Sequence, residues 1–338
     1  MGEIKTFQDA VPLLRSIVMP ATYGDEIAGD TPISRPTLPF LREYVVLYFP
    51  DGYVHLNRKM LADWGFTDDV EVAFEISQAF MRTIGKQMLT QPAPRTRPAL
   101  IEVGDPSNSF GSSNLITQGW LAAATEVLGT PTVAFLPAPG MCTLAIGFNE
   151  SMMPDLFAHV LEKYQRAEVK LSPCLYTAVE GEVVAYRGEP GSAAWKAARF
   201  ADVRLAIDSY SRQAERLEQA YADDDDVFIA SLTGYVDDTD TARTVATWTH
   251  YIPTTLLPKA DEINFVIVDN DGTGGILFCA DWDVVAAHVD LTPVDGIDPP
   301  RYAVGAHPDA AVMNRLATLA KPEEIPPHLR YSPTPDQP

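Results

Sequence analysis

Trp248-Thr249-His250-Tyr251 is the segment densest in polar and aromatic chemistry, and it runs into Pro253 and then Lys259-Ala260-Asp261. Asp281-Trp282-Asp283 follows a later strand pair. An imidazole that meets a carboxylate beside aromatic walls is the equipment of general acid–base catalysis, so Trp248, His250, Lys259, Asp281 and Asp283 are the candidate binding or reactive residues. That chemistry requires His250 and Asp281 to come within hydrogen-bond reach. The plain alternative is that the tryptophans fill core, His250 closes a strand end and the aspartates open a helix.

Other chemistries lack their spacing. The six histidines, His55, His159, His250, His288, His307 and His328, are scattered, and no zinc-protease or clustered Cys/His pattern exists, so no metal or cofactor is expected. Asp269-Asn270-Asp271-Gly272-Thr273 begins like a calcium loop but has its glycine too early and Ala280 where a closing glutamate belongs, so it reads as a β-turn. Gly272-Thr273-Gly274-Gly275 lacks the lysine and helix of a phosphate loop, and Ser112-Ser113 lacks a nucleophile elbow. Cys142, Cys174 and Cys279 sit singly among apolar neighbours, as buried thiols in a reducing compartment do.

The elements that must position these residues follow from composition and pattern. The 338 residues, 46% hydrophobic, suffice for two domains with ordinary cores. With 25 Lys and Arg against 46 Asp and Glu, the formal charge is −21. Such a field repels phosphate backbones and anionic lipid, so neither nucleic acid nor membrane is an expected partner. No basic start precedes an apolar run and no apolar stretch is long enough to span a bilayer, which points to the cytoplasm.

Residues 1–40, with five prolines, read as an extended N-terminal arm carrying a short helix near Phe7 to Val18. Residues 41–187 read as an α+β domain. It holds strands at Tyr44 to Phe49 and Tyr53 to Leu56, a short helix capped by Asn57, and a helix capped by Thr67 or Asp68. After the connector Gln91 to Pro98 come a strand at Ala99 to Val103, a helix over Leu115 to Leu128 and a hairpin at Thr132 to Phe148. A helix over Met152 to Ala167 and a hairpin at Cys174 to Tyr186 complete the domain.

Over residues 40–187 this order, with Trp64-Gly65, Leu171-Ser172-Pro173 and Leu175-Tyr176 at matching places, resembles an uncharacterised bacterial family, domain of unknown function 1444. The resemblance brings no catalytic residues, and the chain departs from it by a long C-terminal extension.

Gly188 to Gly191 marks the boundary to a second domain, residues 188–321. This opens with a long helix, Ser192 to Ala222, and continues with strands at Val227 to Val236, Arg243 to Tyr251, Ile263 to Val268 and Gly275 to Cys279. Short helices at Trp282 to Val289 and Ala310 to Leu319 flank a strand at Tyr302 to Val304, and residues 322–338 form a proline-rich tail. The expected fold is α+β: two domains of mostly antiparallel sheet with helices on one face, joined by the long helix.

Catalytic spacing is absent, so the functional expectation is a non-enzymatic, acidic, cytoplasmic protein that binds a protein partner or forms a homo-oligomer. Two alternatives stand beside it: a hydrolase-type enzyme with an acid–base site near His250, and an inhibitor, immunity or chaperone module for a basic protein.

Overall fold

A computed structural model describes residues 4–26, 31–66, 70–88, 97–103, 110–268 and 274–320. The fold is α+β, with mostly antiparallel sheets. The chain forms two compact units, Met1–Leu205 and Ala206–Pro338, so the division falls inside the long helix rather than at Gly188. An uninterrupted helical pattern hides such a boundary, because the backbone continues regularly while the side chains change cores.

In the first unit, α1 (Phe7–Ala10) is held by a reciprocal capping pair, Thr6 with Asp9. Strand β1 (Leu14–Pro20) then pairs antiparallel with β3 (Leu41–Phe49), from Leu14 opposite Leu47 to Pro20 opposite Leu41. The segment read as a free arm is therefore part of a sheet. Pro12 and Pro20 bracket the strand and only its last residue is proline, so the ladder loses little. Strands β2 (Ser34–Pro36) and β4 (Gly52–His55) pair along the other side of β3.

Helix α2 (Arg58–Asp63) starts where the Asn57 side chain accepts from the Met60 amide. Helix α3 (Glu71–Met88) covers the sheet face that carries Ser16 and Glu43. The expected caps Thr67 and Asp68 lie outside the described residues, as does most of the Gln91 to Pro98 connector.

A second sheet of the first unit has the order β5 (Ala99–Val103), β7 (Cys142–Ile146), β6 (Thr132–Phe135), β8 (Leu175–Val179), β9 (Glu182–Ala185). Helices α4 (Trp120–Leu128) and α5 (Met153–Arg166) bury Leu121, Ala124, Leu156 and Val160 in its core. Helix α4 starts later than the apolar run promised, because Gly119 takes a left-handed φ of 71° that ends the preceding turn before the helix can begin. Helix α6 (Ala193–Ala220) follows.

The second unit holds two four-stranded sheets. One has the order β10 (Val227–Ile229), β13 (Thr254–Pro258), β17 (Arg301–Val304), β16 (Thr292–Pro293). The other runs β11 (Leu232–Val236), β12 (Ala242–Thr249), β14 (Glu262–Val268), β15 (Gly274–Asp281). What reads as one strand from Val227 to Val236 is two, since the chain passes from one sheet to the other across Ala230 and Ser231. Helices α7 (Trp282–Ala286) and α8 (Ala310–Leu319) complete the unit. Strand β12 alternates strictly between buried and half-buried residues, so one face of its sheet is core and the other is presented. The Asp269 to Thr273 turn and the 322–338 tail lie outside the described residues.

Candidate functional site

The register of the β11–β12–β14–β15 sheet decides the fate of the five sequence candidates. Strand β12 runs parallel to β14, with Thr249 beside Val266, and β15 runs antiparallel to β14, with Asp281 beside Glu262. Val266 is also opposite Ile276. His250 is therefore level with the start of β15 and Asp281 stands at its end, about 16 Å further along at 3.3 Å per residue. No acid–base pair forms between them.

At the His250 end, Trp248 is buried, and its indole N–H donates to the Gly305 carbonyl at 2.8 Å. His250 Nδ1 accepts from the His307 amide at 3.2 Å. The His307 ring nitrogen Nε2 lies 2.8 Å from the Trp248 carbonyl, and its ring meets Trp248 and Phe265 edge-on. Burial holds the His307 imidazole below its ordinary pKa; the Trp248 carbonyl acts against this and the adjacent His250 adds to it. These contacts close the end of a core.

At the opposite end, Arg243 bridges Glu262 at 2.7 Å and Asp281 at 2.9 Å, and the Tyr235 hydroxyl donates to Glu262 at 2.5 Å. Burial works against the Arg243 charge, but Glu262, then Tyr235 and Asp281, outweigh it and leave the guanidinium above its ordinary pKa. Lys259 places its ammonium 4.6 Å from the Trp282 ring centroid and 3.9 Å from Asp283, a loose surface pair. Lys259, Asp281 and Asp283 thus share one end of the sheet, Trp248 and His250 the other.

Sequence reasoning missed two buried polar centres. In the first unit, Glu43 is 2% exposed and accepts from Ser16, Gln78 and Arg35 at 2.5, 2.5 and 2.7 Å. Gln78 and Arg35 also line a polar cavity of about 350 Å³ with Thr37, Arg82 and Gln118. Glu75 and Glu182 also line it, and the buried polar groups there are already engaged, Gln78 by Glu43 and Thr117 by the Ser113 carbonyl. A glutamate inside the apolar run Leu41 to Phe49 was the available signal. In the second unit, Arg301 is fully buried, and nothing in its local sequence announces this.

Two features remain that face outward. Strand β11 ends its sheet, and from residue 206 onward the chain carries 23 Asp and Glu against 8 Lys and Arg, −15 of the −21 total. The charge is therefore concentrated in one unit. Among the described residues no group of His, Cys, Asp or Glu is gathered to hold a metal ion, and no helix is long and apolar enough to cross a membrane. Compared with family models, curated proteins and solved structures, the chain matches none.

Proposed function

We propose that this is a non-enzymatic, cytoplasmic binding protein whose acidic second unit engages a basic protein partner. The observation that carries the reading is the segregation of charge into residues 206–338. Such a field accelerates encounter with a cationic surface and disfavours anionic ones, including a second copy of the same unit. Three cysteines outside any disulfide fit a reducing compartment.

The hydrolase reading has less behind it, because His250 is engaged by His307 and Asp281 by Arg243. The ionisable groups at both sheet ends have structural partners. The resemblance over residues 40–187 assigns no residue a role in either reading.

Native mass measurement with a synthetic lysine-rich protein, at low and high salt, tests the proposal. The expected result is a monomer that forms a salt-sensitive complex. That complex weakens severalfold more when Asp223, Asp224, Asp225 and Asp226 become asparagine than when Glu126, Glu162, Glu168 and Glu180 become glutamine. Equal weakening by both sets, or no complex, would overturn it.

A further inference from the structure

Strand β11 lies at the end of its sheet, and its ladder fixes which backbone groups face outward. Asp237 N–H donates to the Thr241 carbonyl at 2.9 Å, so by antiparallel alternation Tyr235 and Thr233 also bond inward to β12. Leu232, Gly234 and Val236 consequently turn their N–H and C=O groups away from the sheet. No strand among the described residues pairs with them. Leu232 is buried, but Gly234 is exposed and Val236 is 54% exposed, so the edge is reachable from Gly234 onward.

From this edge we infer that an extended segment of a partner protein, alternating apolar and basic residues, adds as a fifth strand beside Leu232–Val236. The two exposed outward residues, Gly234 and Val236, can exchange up to four backbone hydrogen bonds with an antiparallel strand, which is the usual source of affinity in strand addition. The side-chain demand follows from the pleat. Leu232, Gly234 and Val236 lie opposite the buried Ala246, Thr244 and Ala242 and so share the core-side face, where an apolar neighbour fits. Thr233 and Tyr235 occupy the other face, and the turn that follows the strand carries exposed Asp238 and Asp240, which favour cationic neighbours at that end of the edge.

Charge also selects the occupant. A second copy would bring another unit of net −15 to the edge, whereas a cationic strand relieves that field. The inference rests on the basic-partner reading above and deepens it by naming where and in what conformation the partner binds.

The test uses the full chain and capped seven-residue peptides alternating valine with lysine or valine with glutamate. Binding of the lysine probe is expected to exceed that of the glutamate probe at least tenfold, and Asp238→Asn with Asp240→Asn should narrow the gap. N-methylation of one alternate set of probe amides should cost at least tenfold and of the other set little, a readout independent of how any variant folds. Hydrogen exchange at the Gly234 and Val236 amides should slow when the lysine probe binds. Gly234→Pro removes only an outward N–H and should abolish binding without loss of fold.

If the lysine probe binds but ignores both N-methylation and Gly234→Pro, docking at this edge is overturned while a basic partner stands. If both probes protect the edge equally, the edge binds strands without regard to charge and the basic-partner reading falls. Failure of the lysine probe to bind overturns the inference itself.

Discussion

Gln213 Oε1 accepts from Arg301 Nε at 2.6 Å and thereby completes a buried cage around a cation that, among the described residues, has no carboxylate in its hydrogen-bond shell. The other acceptors are the carbonyls of Ala230, Leu256 and Tyr210, at 2.7, 2.8 and 3.3 Å. The Tyr210 ring lies 5.4 Å from the guanidinium carbon. Burial lowers the Arg301 pKa to about 10, which still leaves it charged at neutral pH.

Removing one wall of that cage should be costly. Gln213→Leu is expected to lower unfolding free energy by about 2 kcal/mol, because a charged donor loses its acceptor. Arg301→Ala should cost about 3–5 kcal/mol through an added cavity. The double change Arg301→Met with Gln213→Leu should recover much of the loss, since no charge is then left buried. Urea unfolding of the three variants checks the order.

Glu43 gives the first unit a comparable centre. Glu43→Ala leaves Ser16, Gln78 and Arg35 without their shared acceptor and should cost about 3 kcal/mol. Glu43→Gln retains one carbonyl oxygen and should cost less. Chemical denaturation again separates the two.

Stability should fall on mild acidification. Burial depresses the His307 and His55 pKa values below 6.5 in the folded state, so between those folded values and 6.5 the unfolded chain binds protons that the folded chain does not. The stabilisation is complete above 6.5 and is lost as pH drops through the folded values. His307→Gln combined with His55→Gln should flatten the urea midpoint between about pH 7.5 and 5.5. An unchanged slope would contradict this assignment.

Thiol labelling should distinguish two environments. Cys142 and Cys174 are buried and their thiols are pushed up by that burial, Cys142 to about 12, so neither should react in the folded protein. Cys279 is half-buried, with its sulfur 3.4 Å from Glu262, and should label slowly. All three should react in denaturant. Counting labelled sites by mass on both sides of the transition provides the measurement.

Local periodicity made much of the fold legible. Met153–Arg166 and the hairpin Leu175–Val179 with Glu182–Ala185 follow directly from apolar spacing and turn residues. Strand β13 escaped notice because Pro253 and Pro258 punctuate it, and β10 and β11 merged because no proline or glycine separates them. The pairing of His250 with Asp281 failed for a topological reason. The pair needs the ends of β12 and β15 at one edge of the sheet, whereas the parallel alignment of β12 with β14 sends the two residues to opposite ends. Nothing in either strand's own residues encodes the direction of its neighbour. The unpaired edge was equally invisible, being a property of strand order.

The two-residue passage from β10 to β11 has a mechanical outcome. Ala230 donates its amide to Leu256, and its own carbonyl is gripped by Arg301, so the corner is anchored in the neighbouring sheet. Strand β11 cannot slide along β12 by one residue without dragging Ile229 from its place beside Leu256. The phase of the outermost row of amides is thus held twice, by this corner and by the Asp237 to Thr241 turn that sets the register of β11 on β12.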